Sequence, residues 1–171
     1  AWLLTRLGEE AAANRSRIAA DRLKSAISRQ FGPTFPRDLG ARKLDASIAF
    51  LFPPYALTPP EEDANRALVR AEYVLRRPAG GLAPGESWKN DGISWTPQTS
   101  LFAMVNAAIG DVAKAASFLG WIEQHRTSAG SIPEKVLHDG RPAAVAPLAW
   151  TAAMVVLAIA YIRAPDVLGQ R

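Results

Sequence analysis

Two polar segments of this 171-residue chain hold the residues that could do acid–base or sugar chemistry. In the segment 127–147, Glu134 directly follows a proline and is itself followed by Lys135. A carboxylate on a loop can act as a general base when it is held within reach of a water molecule. The same residue types are common on solvated surfaces, where Lys135 would pair with Glu134 or lie in water. Glu134 is therefore a candidate base.

The segment 78–95 is rich in glycine and carries Glu86, Trp88 and Trp95. Indole faces stack on the C–H faces of sugars, and planar polar groups bind sugar hydroxyls. These residues predict a carbohydrate site, although both tryptophans could instead only fix a long loop onto the helices. Trp150 lies near the start of the most apolar helix, where it would be either a core residue or the floor of a pocket.

The composition excludes several other classes of function. The chain has no cysteine, which rules out thiol catalysis, thiolate metal sites and disulfides. His125 and His138 lack the H-x-x-x-H spacing of a zinc site, and neither a G-x-S-x-G motif nor a phosphate-binding glycine motif is present. We therefore expect no metal and no cofactor. The net charge of +4 comes from scattered basic residues, a pattern that does not indicate a nucleic-acid partner.

The periodicity of the hydrophobic residues predicts an all-α fold of about six helices and no strands. Thr58 and Thr96 are predicted N-caps because each precedes a proline, and Asp111 follows a glycine as a third cap. The last helix is uncharged from 143 to 162, but Pro147 interrupts it, which favours a buried inner helix over a membrane span. The predicted helices cover about residues 9–31, 44–52, 58–77, 96–110, 111–126 and 148–162.

The lengths of the connections place the candidate residues together. Successive packed helices run antiparallel, so alternate connections lie at opposite ends of the bundle. The long connections 32–43, 78–95 and 127–147 alternate with tight ones, and all three are therefore predicted to lie at one end. Long loops in compact domains are usually functional. This end is the predicted active face.

Four stretches together resemble a known family: LDASIAFLFPP, SWTPQTSLFAMVNAAIGD, SIPEKV and GRPAAVAPLAWTAAMVVLAIA. They are similar to the C-terminal half of the catalytic domain in glycoside hydrolase family 15, the glucoamylases and glucodextranases. The resemblance runs from about Gly8 to Ile162. It implies that residues 1–171 are the C-terminal part of a single (α/α)6-toroid domain, with antiparallel helical hairpins forming half of the ring. It also implies inverting hydrolysis of α-glucosidic bonds in a carbohydrate substrate.

The resemblance also assigns roles to residues. Glu134 matches the family's general base, which lies in a short PE or SE segment before a Pro-x-x-Trp helix. Trp95, Glu86 and Trp150 match stretches that line the sugar subsites, and Trp88 and Lys135 are adjacent substrate-binding candidates.

No residue of this chain matches the family's general acid, which lies in an upstream tryptophan–glutamate segment. Inverting hydrolysis needs both carboxyl groups, so we expect the chain alone to be inactive and to require the missing N-terminal half or another chain. Half a toroid would also expose the apolar faces of its inner helices. The alternative is a non-catalytic helical module that binds carbohydrate or serves in assembly.

Overall fold

The computed structural model describes residues 1–56 and 62–164. This part of the chain forms the helices α1 (Trp2–Arg6), α2 (Glu10–Phe31), a 3₁₀ helix (Ala46–Leu51), α3 (Glu62–Val74), α4 (Thr96–Ala108), α5 (Val112–Gln124) and α6 (Ala149–Arg163). It also forms three short antiparallel strands in the order β1 (Ser94–Trp95), β2 (Lys135–Val136) and β3 (Pro142–Ala143). The predicted all-α class is confirmed.

The differences from the sequence prediction are local. The predicted absence of strands is wrong, because strands of two residues are too short to produce a periodic pattern. Helix α1 was not predicted, and the second predicted helix is a 3₁₀ helix. The predicted cap Thr58 lies outside the described residues.

Helix α4 is the centre of the core. Nearly all of its residues are buried, and it packs against both α5 and α6. Phe102 of α4 meets Phe118 of α5 edge-on, with ring centroids 6.4 Å apart. Burial of this much apolar surface is the main contribution that holds the helical hairpin together.

Helices α4 and α6 run parallel and begin at the same end of the molecule. The hydroxyl oxygens of Thr96 and Thr151, each in the first turn of its helix, lie 2.9 Å apart. Helix α5, which lies between them in the chain, packs mainly against α4. Thr96 is not the N-cap of α4, because the helix is capped by Trp95 and the Thr96 hydroxyl instead donates to the carbonyl of Pro133 at 2.6 Å. The long loops that precede α4 and α6 are thus brought together.

A polar network fixes the opposite end of the core. The Glu72 carboxylate of α3 accepts a hydrogen bond from Asn106 of α4 at 2.8 Å and pairs with Lys114 of α5 at 3.0 Å. Burial lowers the pKa of Lys114, but the hydrogen bond and charge of Glu72 outweigh it, so that this pKa is raised overall. The amide of Asn106 and the ammonium of Lys114 together compensate the negative charge of the buried Glu72 carboxylate. The network therefore fixes three helices relative to one another.

Asp111 is the N-cap of α5, as the sequence predicts, and its carboxylate accepts from the Lys114 backbone N–H at 3.0 Å. Replacing Asp111 by Ala should lower the free energy of unfolding by about 1 kcal/mol, because a helix-end N–H loses its partner. Urea denaturation followed by circular dichroism measures this loss. The control is Glu123→Ala, which removes an exposed glutamate from the last turn of α5 and should change stability by less than about 0.5 kcal/mol. Equal effects of the two substitutions would contradict the cap.

Helix α6 is not the buried helix that its composition predicts. Thr151, Ala158 and Tyr161 are its only buried residues, while Val156 is 65% exposed and Leu157 and Ile159 are exposed as well. The reason is that α4 covers only one side of α6. An apolar face of α6 is left open. In the described part of the chain no helix, α6 included, is both long and apolar enough to cross a membrane.

Candidate active site

The three long loops meet at one end, as the helix order predicts. Strand β1 pairs with β2 through Ser94 and Val136, which joins the second loop to the third. An antiparallel bridge between Asp45 and Gly85 joins the second loop to the residues that follow the first. The prediction that these loops share an end of the molecule is confirmed.

The main chain of Glu134 is fixed on both sides. Its carbonyl accepts from the backbone N–H of Thr96 at 3.0 Å, and its own N–H donates to the carbonyl of Val145 at 2.8 Å. These bonds attach the candidate base to the first residue of α4 and to the segment that leads into α6. The N-terminal ends of both helices lie here, and helix N-termini stabilise nearby negative charge.

The backbone beside this anchor is strained. Ala144, directly before Val145, has a φ of 63°, in the left-handed region that disfavours residues with a Cβ. Such a conformation costs on the order of 1–3 kcal/mol and persists only where surrounding contacts enforce it. Here the enforcing contacts are the β3 pairing at Ala143 and the bond from Glu134 to Val145. The carbonyl that holds Glu134 is therefore set by a strained turn.

The side chain of Glu134 lies beside Lys135, whose ammonium lies over Trp95. The Lys135 Nζ is 3.9 Å from Glu134 Oε2 and 4.3 Å from the centre of the Trp95 ring, so the ammonium is held between a carboxylate and an indole face. The Glu134 side chain is 29% exposed. Within the described residues it accepts no hydrogen bond from another side chain or from the backbone, which leaves its second oxygen open to water.

Trp88 extends this group outward. Its ring meets the Trp95 ring edge-on, with centroids 5.8 Å apart and planes at 90°. Trp88 is 36% exposed, whereas Trp95, at the end of β1, is half-buried. We call these four residues the site row, because their side chains follow one another in space in the order Glu134, Lys135, Trp95 and Trp88, and each contacts the next.

Two other predicted substrate-binding residues lie at the same end of the molecule but outside the site row. Glu86 Oε2 accepts from the backbone N–H of Leu44 at 2.9 Å, and the Glu86 N–H donates back to the Leu44 carbonyl at 2.8 Å. One carboxylate oxygen of Glu86 thus holds two loops together. Trp150 lies in the first turn of α6 and is 48% exposed. The sugar-binding roles of both residues stay predictions, as does the catalytic role of Glu134.

Arg37 and Asp45 belong to this end of the molecule and were not predicted as site residues. Asp45 is buried; its Oδ1 accepts from the Ser47 N–H at 2.9 Å, and its Oδ2 forms an ion pair with Arg37, 2.9 Å from Nε. The Arg37 guanidinium lies over Trp88, 6.0 Å from the ring centre. The signal available in the sequence was the position of Arg37 within the long loop 32–43.

No cluster of three or more histidine, aspartate or glutamate side chains that could hold a metal ion occurs in residues 1–56 and 62–164. The described cavity of about 680 Å³ lies between α2 and residues 50–56, and none of the members of the site row lines it.

The fold is that of part of a glycosidase. Solved structures of a glycosidase superpose on this chain with a TM-score of 0.73 at 23% sequence identity; they include the wild type, a glutamate-to-alanine variant in complex with glucose, and a second glutamate-to-alanine variant. The match covers 88% of this chain and 44% of theirs, so the chain spans less than half the length of these proteins. No protein-family model matches the sequence, and no curated protein does.

Proposed function

We propose that this chain is part of an inverting glycoside hydrolase of glucoamylase type, which cleaves α-glucosidic bonds in oligo- or polysaccharides. The observation that carries the proposal is the site row: a carboxylate with a fixed backbone lies beside two tryptophans on the loop end of a fold shared with glycosidases. The glucose found in one of those glycosidases supports a sugar as the substrate class.

Glu134 is the general base in this proposal. In inverting hydrolysis a carboxylic acid protonates the leaving oxygen while a carboxylate takes a proton from the water that attacks the other face of the sugar. Lys135 lies near one oxygen of Glu134, so the other oxygen can hold that water. The charge of Lys135 attracts the Glu134 carboxylate. The Trp95 ring beneath the ammonium limits the movement of the Lys135 side chain. Trp95 and Trp88 present aromatic surface to the sugar.

The general acid is assigned to a residue outside this chain. Inverting enzymes hold their two carboxyl groups about 6.5–9.5 Å apart. Glu86, a carboxylate of the neighbouring loop, is bonded to the Leu44 backbone and forms part of the loop junction instead. We propose that the N-terminal half of an (α/α)6 toroid, or another chain, supplies the acid. The exposed apolar side chains of α6 are the surface that such a partner would cover.

The anomeric form of the first product tests the mechanism. The complete enzyme, acting on malto-oligosaccharides, should release β-glucose first, because water attacks opposite the leaving group. Proton NMR recorded within minutes of mixing distinguishes β-glucose from α-glucose before the two interconvert. Initial release of α-glucose would contradict inversion. Binding of these sugars without hydrolysis of any of them would contradict the hydrolase and favour a carbohydrate-binding module.

A further inference from the structure

The guanidinium of Arg37 is paired with a buried carboxylate. Its Nε lies 2.9 Å from Asp45 Oδ2 in an ion pair, and the other oxygen of Asp45 accepts from the Ser47 N–H. Asp45 is 6% exposed, so its side chain is enclosed by protein. An ion pair with an enclosed partner limits the movement of the guanidinium more than an exposed surface pair does.

The second long loop sets the position of that carboxylate. A Cβ placed on Gly85 would lie 2.6 Å from Asp45 Oδ2, so only glycine allows the Gly85 backbone to approach this closely. Asp45 and Gly85 also form an antiparallel bridge. Arg37 is therefore held relative to the same loop that carries Trp88, one of the candidate sugar-binding residues.

The remaining donors of Arg37 face solvent. Its side chain is 52% exposed, and within the described residues its two terminal nitrogens make no hydrogen bond. A guanidinium carries five N–H donors in one rigid plane, and Asp45 lies on the Nε side of that plane. Adjacent hydroxyls of a pyranose ring offer paired acceptors to such a fork. The indole of Trp88, 6.0 Å from the guanidinium carbon, offers an apolar face beside it.

Resting on the function proposed above, we propose that Arg37 and Trp88 form a second sugar subsite, which binds a unit of the oligosaccharide beyond the two that flank the scissile bond. Arg37 continues the site row past Trp95 and Trp88, so a sugar bound there is separated from Glu134 by two indole rings. Asp45 balances the charge of Arg37, which favours a neutral sugar over a sugar carboxylate or phosphate. Arg37 thereby makes the enzyme prefer longer oligosaccharides.

The test compares two substrates in the complete enzyme. Arg37→Ala should lower the ratio of kcat/KM for maltotriose to kcat/KM for maltose by about tenfold, since a hydrogen bond from a charged donor to the third sugar is lost. The matched control is Arg66→Ala, an arginine of α3 that pairs with Glu62 and Asp63. This control should leave the ratio unchanged. If Arg37→Ala leaves the ratio unchanged, the proposed subsite is wrong. This holds also when kcat/KM falls equally for both substrates, because Arg37 then only anchors its loop.

A binding measurement separates this proposal from the hydrolase itself. In the Glu134→Gln protein, adding Arg37→Ala should weaken maltotriose binding, measured by calorimetry, about tenfold more than maltose binding. This arm needs no turnover. If the wild type hydrolyses no α-glucoside, the proposed function fails, while the difference between the two affinities still decides for or against the subsite. Equal affinities for maltotriose with and without Arg37 would overturn it.

Discussion

Replacing Glu134 by Gln should lower kcat on malto-oligosaccharides by about 10²–10⁴-fold, the usual contribution of a positioned general base. Glutamine has nearly the same shape as glutamate but cannot take the proton from the attacking water. The backbone bonds from Thr96 and to Val145 do not involve the side chain, so the loop should keep its conformation. Steady-state kinetics in the complete enzyme measure the loss, and calorimetry should show that maltose still binds.

The control for this change is Glu123→Gln. Glu123 lies exposed on α5, where it pairs with Arg126, and it carries the same charge as Glu134. Its replacement should leave kcat within about twofold of the wild type, as expected for a surface position without a role in the site. Normal hydrolysis by Glu134→Gln would show that another residue is the base. A comparable loss of maltose binding and of turnover would mean that Glu134 binds sugar without activating water.

The helices near the site could be predicted because their signals are local. Pro97 in the first turn of α4 and Gly110 just after its end set the limits of that helix within two residues. The convergence of the long loops followed from the alternation of long and short connections. The nearness of Glu134 to Trp95 could therefore be predicted before any distance was known.

The contacts that hold the loops together could not be predicted, because they join residues far apart in the chain. The bond between Glu86 and Leu44 spans 42 positions, and no local pattern marks either partner. The same is true of the pairing between Ser94 and Val136. Burial of α6 was predicted incorrectly for a related reason. The apolar composition of α6 indicates that its side chains would be stable when buried. Whether they are buried depends on which neighbouring helices are present, and the sequence of α6 does not give that.

Gly81 gives a test of how the loop that carries Trp95 is held. A Cβ at this position would lie 2.5 Å from two atoms of the Trp121 ring and 2.8 Å from the Ser94 Cβ. The Trp121 ring cannot easily move away, because its Nε1 donates to the Ala79 carbonyl at 2.6 Å and its face lies 4.5 Å from the His125 ring centre. Gly81→Ala should therefore lower the free energy of unfolding by about 1–3 kcal/mol, the cost of overpacking.

Gly120→Ala is the matched control, and it should shift stability in the opposite direction. Gly120 lies inside α5, and a Cβ there would meet no atom within 4 Å. The substitution should raise the free energy of unfolding by about 0.5–1 kcal/mol, because alanine favours the helix over the unfolded chain. Urea denaturation of both variants gives the sign of each effect. Because Ser94 precedes Trp95 in β1, Gly81→Ala should also lower kcat/KM, whereas Gly120→Ala should not. Wild-type stability in Gly81→Ala would mean that the loop moves freely against α5.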